Sequence, residues 1–267
     1  MIVAGCDIGS TAGKAVILKD NEILSCAIAS CKPRPAETAE ITMREAMAGA
    51  GVSSLNEFDW IIGTGYGRCK IDFANDNISE ITCHGVGAKA VCHSVRTIID
   101  IGGQDLKAIA LGENGKILDF AMNDKCAAGT GKFIENMARS LELTLEELSI
   151  ASDRAKNAAT ISNQCSVFAE SEIITLLNEG IEIDNIAKGV HNAIAGRIMT
   201  LVSKVGAREE ICIVGGCAKN EGLIKTIEDR LKVKLARFSI DPQIIGALGA
   251  ATLAARMVLK KNIPGGS

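Results

Sequence analysis

The sequence predicts an α/β protein made of two similar halves around a cleft, and three observations predict it. The first is Asp100-Ile101-Gly102-Gly103-Gln104-Asp105, entered by the apolar run 95–99 and left by Ala108-Ile109-Ala110-Leu111. It reads as strand, glycine turn, strand, with a carboxylate at each end of the turn. The second is Asp7-Ile8-Gly9-Ser10-Thr11-Ala12-Gly13-Lys14, in which Asp7, Ile8, Gly9 and Lys14 match Asp100, Ile101, Gly102 and Lys107. Residues 15–18 then match 108–111 and, with one residue inserted, Glu22-Ile23-Leu24 matches Lys116-Ile117-Leu118. A likeness over a whole three-strand meander means internal duplication. The third is Ile211-Cys212-Ile213-Val214-Gly215-Gly216, a strand running into a glycine turn and a helix start.

In chain order, the pattern predicts strands at 2–8, near 14–19 and at 22–28, with Asp20-Asn21 as the hairpin turn. After the loop Cys31-Lys32-Pro33-Arg34-Pro35, a helix is expected from about 36 to 48, ended by Gly49 and Gly51. Trp60-Ile61-Ile62 is a short strand running into Gly63-Thr64-Gly65-Tyr66-Gly67-Arg68, either a plain connection or a hinge or wall of the cleft. Residues 78–92 read as a helix whose His84 and cysteines lack ligand spacing. The second half begins at about Arg96, turns at Gly112-Glu113-Asn114-Gly115 and continues as a strand over 116–122. A helix is then expected to start within 122–133 and reach Leu141, placing Cys126 at or just before its N-terminus. A short strand is expected to end before Cys165, which opens a helix to about Asn178. The helix 184–205 carries Ile186, Val190, Ile194, Ile198 and Leu201 at helical spacing, with His191 beside the stripe, expected to be packed or at the solvent edge and not a ligand. A strand near 234–237 and a small-residue helix opened by Pro242 complete the fold. Residues 1–95 with the closing helix 242–262 are expected to form one domain and 96–241 the other. The tail Pro264-Gly265-Gly266-Ser267 is expected to be disordered.

Composition narrows the function. The chain has 267 residues, is 47% hydrophobic and only 3% aromatic, so its cores are built from Ala, Ile, Leu and Val. A net charge of −3 argues against nucleic acid. No apolar run near 18 residues is seen, so no membrane helix is expected. The first residues enter a strand without a cationic segment, so neither is a signal peptide, and a cytoplasmic location is expected. The ten cysteines include no C-x-x-C pair, so they suggest neither a zinc ribbon nor a disulfide framework. Most are expected to be buried small hydrophobes.

Glycine turns let N–H groups cradle phosphate oxygens, and a carboxylate beside such a cradle is placed to hold hydrated Mg²⁺. The expected phosphate-binding residues are therefore Gly9, Ser10 and Thr11 in one turn and Gly102, Gly103 and Gln104 in the other. Asp7 and Asp100 are expected to position Mg²⁺, and Gln104, ahead of Asp105, to orient the attacking water. Lys14 is a candidate phosphate ligand, but strand alternation predicts that Lys14 and Lys107 face solvent, opposite Ala15 and Ala108. Gly129, Thr130 and Gly131 keep a helix start slim enough for a backbone or a phosphate. Gly215, Gly216 and Asn220 are placed for adenosine. Cys126 and Cys165 share one setting, a helix start, where N–H groups and the helix dipole favour thiolate. An iron–sulfur cluster usually takes four cysteines, and a two-fold dimer sharing one cluster is the simplest way to reach four from two.

These three glycine sites, in this order, resemble those of the actin, sugar-kinase and heat-shock-chaperone ATPase superfamily. Within it the chain resembles the activators of 2-hydroxyacyl-CoA dehydratases and the related benzoyl-CoA reductase ATPase subunits. The marks are Thr64-Gly65-Tyr66-Gly67-Arg68, Asn123-Asp124-Lys125-Cys126-Ala127-Ala128-Gly129-Thr130-Gly131 and Cys165-Ser166-Val167-Phe168-Ala169-Glu170-Ser171-Glu172. The resemblance implies two duplicated ribonuclease-H-like (actin-like ATPase) domains around a nucleotide cleft. It further implies an anaerobic homodimer bridged by one [4Fe–4S] cluster on Cys126 and Cys165 of each chain, using ATP and Mg²⁺. Reduced by a ferredoxin or flavodoxin, such a protein passes one low-potential electron to a dehydratase. The activators carry Ser-Ser-Thr before the second cysteine; here Ser162-Asn163-Gln164 stands there, which leaves the partner's subfamily open. A small-molecule kinase on the same fold and a non-catalytic nucleotide sensor are the alternatives.

Overall fold

A computed structural model describes residues 1–163 and 165–261. Gln164 and the expected disordered tail lie outside the described residues, as does the last residue of the expected closing helix. The chain divides into two compact units: Met1–Val95 with Leu111–Ile117 and the segment from Phe238 onward, and Arg96–Ala110 with Leu118–Arg237.

The first unit is a five-stranded sheet of order β3-β2-β1-β4-β5. Its strands are β1 (Ile2–Ile8), β2 (Ala12–Lys19), β3 (Glu22–Ser30), β4 (Trp60–Thr64) and β5 (Asp76–Asn77). The first three form an antiparallel meander, and β4 runs parallel to β1. Asp20 and Asn21 both take left-handed φ (53° and 69°), which matches the right-handed twist of a tight hairpin. Helix α1 (Pro35–Ala50) starts with proline in its first turn and ends on Gly51 at φ 67°; Gly49 lies inside it and does not end it. Helices α2 (Glu80–Val91) and α8 (Ile245–Lys261) pack on each other, and α8 also covers β1 and β4.

Both faces of this sheet are covered. Ala4, Cys6, Ile8, Ala15 and Ile17 pack with Ala39, Met43 and Ala46 of α1. Val3, Val16, Leu18 and Ile62 pack with Ala247, Ala250, Ala251 and Ala254 of α8. The segment Pro242–Lys261 is long and apolar enough to cross a membrane by length and composition, contrary to the expectation from the sequence. Its alanines line a protein core because the sheet needs a cover on that side.

The second unit holds a four-stranded sheet of order β8-β7-β6-β9. Its strands are β6 (Thr97–Ile101), β7 (Leu106–Leu111), β8 (Ile117–Asn123) and β9 (Ile211–Val214), with β9 parallel to β6. Helices α3 (Gly131–Ser140), α4 (Leu145–Arg154), α5 (Ser166–Asn178), α6 (Ile183–Val205) and α7 (Glu221–Leu231) complete it. The whole predicted stripe of α6, from Ile186 to Leu201, enters one core with Ile99, Ile101, Leu106, Ala108 and Ala110. His191 is fully buried beside it. Among the described residues no strand forms before Cys165. Near 234–237 only a single bridge, Ala236 to Cys212, is made, so that expected strand is also absent. Its backbone is held from the side chain instead: Leu235 N–H donates to Glu228 Oε1.

Candidate functional site: two phosphate-type turns and two cysteine loops

The duplication reaches further than the meanders. In the first unit Asp7 is paired antiparallel with Lys14 and parallel with Thr64; in the second Asp100 is paired with Lys107 and with Val214. The residue after each parallel strand is glycine with φ 87°, Gly65 and Gly215. Each has its α-carbon pressed against the strand bearing the aspartate. A Cβ on Gly65 would collide with Asp7 Oδ1 and lie 2.5 Å from the Ile8 carbonyl oxygen; on Gly215 it would collide with the Ile101 carbonyl. A left-handed φ and backbone contact together demand glycine. Gly215 is thus needed by the protein's own backbone. The equivalence of Gly65 and Gly215 escaped the sequence reading, although a short apolar strand running into a glycine-rich turn marks both places.

The turns close in the same way. Gly9 N–H donates to Ala12 O at 3.1 Å, and Gly102 N–H to Asp105 O at 3.0 Å. The first amide of each expected cradle is therefore already used. Among the described residues, the N–H groups of Ser10, Thr11, Gly103 and Gln104 make no hydrogen bond. Cys31 borders the first turn: its N–H donates to Thr11 O and its thiol to Gly9 O.

Lys14 and Lys107 do not face solvent. Lys14 Nζ lies 3.0 Å from Asp7 Oδ2. Lys107, 1% exposed, lies 3.1 Å from Asp100 Oδ2 and 2.7 Å from Asp105 Oδ2. The alternation used to turn them outward was right about Ala15 and Ala108. In a sheet covered on both faces, however, the opposite face is also interior. Both aspartates are 3% exposed, and a buried carboxylate requires such a partner. His84 Nε2 and Asp7 Oδ2 both lie about the α-carbon of Gly246, 3.1 and 2.8 Å from a Cβ placed there.

Helix α3 starts at Gly131 with Thr130 as N-cap, so Cys126 is not at a helix N-terminus. It sits in a preceding loop because the chain first turns back through Gly129, at φ 89°. Thr130 Oγ1 donates to Ala127 O within that turn. Asn123 Nδ2 holds the loop by donating to the Cys126 and Ala128 carbonyls at 3.0 and 3.3 Å. The first amides of α3 are taken by the second phosphate-type turn: Gly131 N–H donates to Gly102 O and Lys132 N–H to Gly103 O, both at 2.9 Å. The slim start at 129–131 therefore accommodates backbone.

Cys165 does open a helix. It is the N-cap of α5 and makes no side-chain capping bond. Glu172 Oε2 accepts Ser162 N–H from the same loop. The two cysteine loops rest on neighbouring residues of α6: a Cβ on Gly129 would lie 2.9 Å from Arg197 Cγ, and one on Gly196 would lie 3.2 Å from Asn163 Nδ2. None of the ten cysteines forms a disulfide. Burial raises the thiol pKa of Cys6, Cys83 and Cys217, to about 12 for the last two, but contrary to expectation most cysteines are not core residues: only Cys6, Cys83 and Cys212 are buried, and Cys26 and Cys69 are exposed. Cys126 and Cys165 are only partly buried. Among the described residues no three His, Cys, Asp or Glu side chains converge as a metal site. Asn220 caps α7 by accepting Leu223 N–H at 2.9 Å, so its carbonyl oxygen serves the helix.

Comparison with known proteins agrees with this geometry. The chain is 42% identical, over 98% of its length and all of the relative's, to an activator of lactoyl-CoA dehydratase from Anaerotignum propionicum. The solved activator of the 2-hydroxyisocaproyl-CoA dehydratase from Clostridium difficile, with bound ADPNP, is 37% identical and superposes with a TM-score of 0.92 over all of both chains. A ROK family glucokinase from Streptomyces griseus shares the fold alone, at 14% identity and a TM-score of 0.58, over 96% of this chain and all of the kinase. The architecture is thus that of the actin-like and sugar-kinase ATPases. Residues 4–254 match the BadF/BadG/BcrA/BcrD ATPase family, and the chain is an ATPase that belongs to this family.

Proposed function

We propose that the chain is the ATP-dependent electron-transfer activator of a 2-hydroxyacyl-CoA dehydratase or a related cluster-bearing enzyme. In this reading it works in the cytoplasm as a homodimer, sharing one [4Fe–4S] cluster and drawing electrons from a reduced ferredoxin or flavodoxin. The observation that carries it is that the loops holding Cys126 and Cys165 lie against the adjacent α6 residues Arg197 and Gly196. The donor set fits: the thiols of Cys126 and Cys165 are both partly buried, and Cys165 opens an uncapped helix start, whose N–H groups favour the negative charge of thiolate-bound sulfur. Two copies would provide the usual four cysteines. When bound, the cluster supplies one low-potential electron.

The nucleotide chemistry falls to the two turns. The amides of Ser10, Thr11, Gly103 and Gln104 hold phosphate oxygens, with Gly9 and Gly102 closing the turns behind them. Asp7 and Asp100 position Mg²⁺ through water; one carboxylate beside each set of amides fits a hydrated cation. Gln104, neutral and able both to donate and to accept, orients the attacking water. Gly216 and Asn220 lie beside the adenosine. Turnover at Gly102 and Gly103 reaches α3 through the bonds to Gly131 and Lys132, and α3 continues from the loop of Cys126.

Iron and acid-labile sulfide analysis of the anaerobically purified chain tests this. One [4Fe–4S] cluster per two chains is expected, with Cys126→Ala and Cys165→Ala each abolishing it while keeping ADP binding. A wild-type chain that takes up no cluster under strict anaerobiosis and phosphorylates a small molecule would instead be a kinase.

A further inference from the structure

Lys107 is among the largest fully buried side chains of the described residues. The duplicated frame gives it a counterpart in Lys14, and the comparison exposes an asymmetry. Lys14 lies beside the Asp7 carboxylate at 3.0 Å and the Ala12 carbonyl at 3.3 Å. Lys107 meets two carboxylates, Asp100 and Asp105. Ala12 occupies in the first turn the place that Asp105 holds in the second.

Asp105 is not aimed outward from its turn. One of its carboxylate oxygens folds back against Gly102, where a Cβ would collide with it, and the other lies 2.7 Å from Lys107 Nζ. Asp105 therefore holds the turn at both ends, through its backbone carbonyl on Gly102 N–H and through its side chain on Lys107. Asp7 with Lys14 sums to zero charge, whereas Asp100 and Asp105 with Lys107 leave one negative charge. Cys217, the thiol facing Asp100, adds no positive charge, because burial and then the charges of Asp100 and Glu135 push its pKa up to about 12.

We infer that Lys107 is a positioning residue for the ATPase: a built-in cation that lets two carboxylates stand beside the polyphosphate, with Asp105 acting through it and not on the attacking water. The inference rests on reading the second turn as a phosphate site. Lys107 screens the phosphates from Asp100 and Asp105, and Asp105 keeps Lys107 from collapsing wholly onto Asp100. The two side chains therefore have opposite effects on polyphosphate binding.

The test measures ADP and adenosine affinity by calorimetry in EDTA, beside kcat and KM for ATP. Lys107→Met should weaken ADP about tenfold or more while adenosine stays within about twofold, because adenosine carries no phosphate to repel. Lys107→Arg should recover most of the ADP affinity. Asp105→Asn should bind ADP as tightly as wild type or more tightly, with kcat lowered about tenfold at unchanged KM. The double variant should bind ADP better than Lys107→Met alone. Equal losses for ADP and adenosine, no rescue by arginine, or an unchanged kcat in Asp105→Asn would each overturn the inference. If Lys107→Met does not fold, Lys107→Arg, which should keep ADP affinity near wild type, and Asp105→Asn decide. A wild-type chain that binds adenosine but gains nothing from the phosphates of ADP would overturn the phosphate reading itself, before any variant is compared.

Discussion

The amide of Gly131 donates to the carbonyl of Gly102 at 2.9 Å, tying the first turn of α3 to the turn after Asp100. Lys132 repeats the bond on Gly103. Five residues before Gly131 stands Cys126, and Asn123 holds that loop from the end of β8. A displacement of the turn thus has a short covalent and hydrogen-bonded route to the cysteine. A Cβ on Gly131 would lie 3.3 Å from both Gly102 O and Cys217 Sγ, tight for one methyl and closed to more. Gly131→Val should push the turn away and weaken ADP binding about tenfold, with Gly131→Ala showing a smaller loss. Titration calorimetry checks this, and wild-type affinity in the valine variant would remove the proposed link.

Gly65 and Gly215 should be equally intolerant. Both sit at φ 87° against the strand that carries the aspartate. Alanine at either place meets backbone strain and a carbonyl together, and should cost about 2–4 kcal/mol. Gly51, also left-handed but with nothing near it, should cost only about 1 kcal/mol when replaced by alanine. Urea unfolding of the three variants separates packing from φ alone.

Removing one lysine strands buried carboxylate charge, at a cost of about 3–5 kcal/mol for a fully buried pair. Lys107→Met should approach that range, because its side chain is 2% exposed and serves two aspartates. Lys14→Met should cost less, because Lys14 is 14% exposed and serves one. Chemical denaturation near neutral pH gives the order, and a larger loss for Lys14→Met would contradict this account.

His191 gives the fold an acid sensitivity. Burial, helped by the charge of Lys188, lowers its pKa from 6.5 to about 4, against a smaller opposing effect of Asp153. Among the described residues neither ring nitrogen has a hydrogen-bond partner. The unfolded chain therefore binds the proton first as pH falls. The stabilisation is complete above about pH 6.5 and lost progressively toward pH 4, about 3 kcal/mol in all. His191→Leu should flatten the dependence of the melting temperature on pH over that window. An unchanged slope would show that other groups set it.

The duplication was legible because both copies keep the same order of strand, glycine turn and strand. The Asp20-Asn21 hairpin and the opening of α5 at Cys165 were legible too, since tight turns and helix starts are set by a few adjacent residues. The direction of Lys14 and Lys107 was not. Local alternation tells which neighbours share a face; that the other face is interior too is told, for Lys14, by the packing of α1 and α8 on its sheet and, for Lys107, by its burial to 1% exposure beside Asp100 and Asp105. Cys126 was misplaced because a single left-handed residue, Gly129, adds a turn before α3 that composition does not announce.

The sequence by itself determined the repeated turns, the opening of α5 at Cys165 and the apolar stripes, all of them patterns carried by near neighbours. Tertiary structure decided that Gly65 answers Gly215, that Lys107 bridges Asp100 and Asp105, and that Gly196 and Arg197 support both cysteine loops. Each of these depends on how elements are packed: a parallel strand laid beside each aspartate strand, a turn folded over a buried lysine, or a helix beneath two loops. Such contacts form only when the core closes and excludes water, so no local pattern records them.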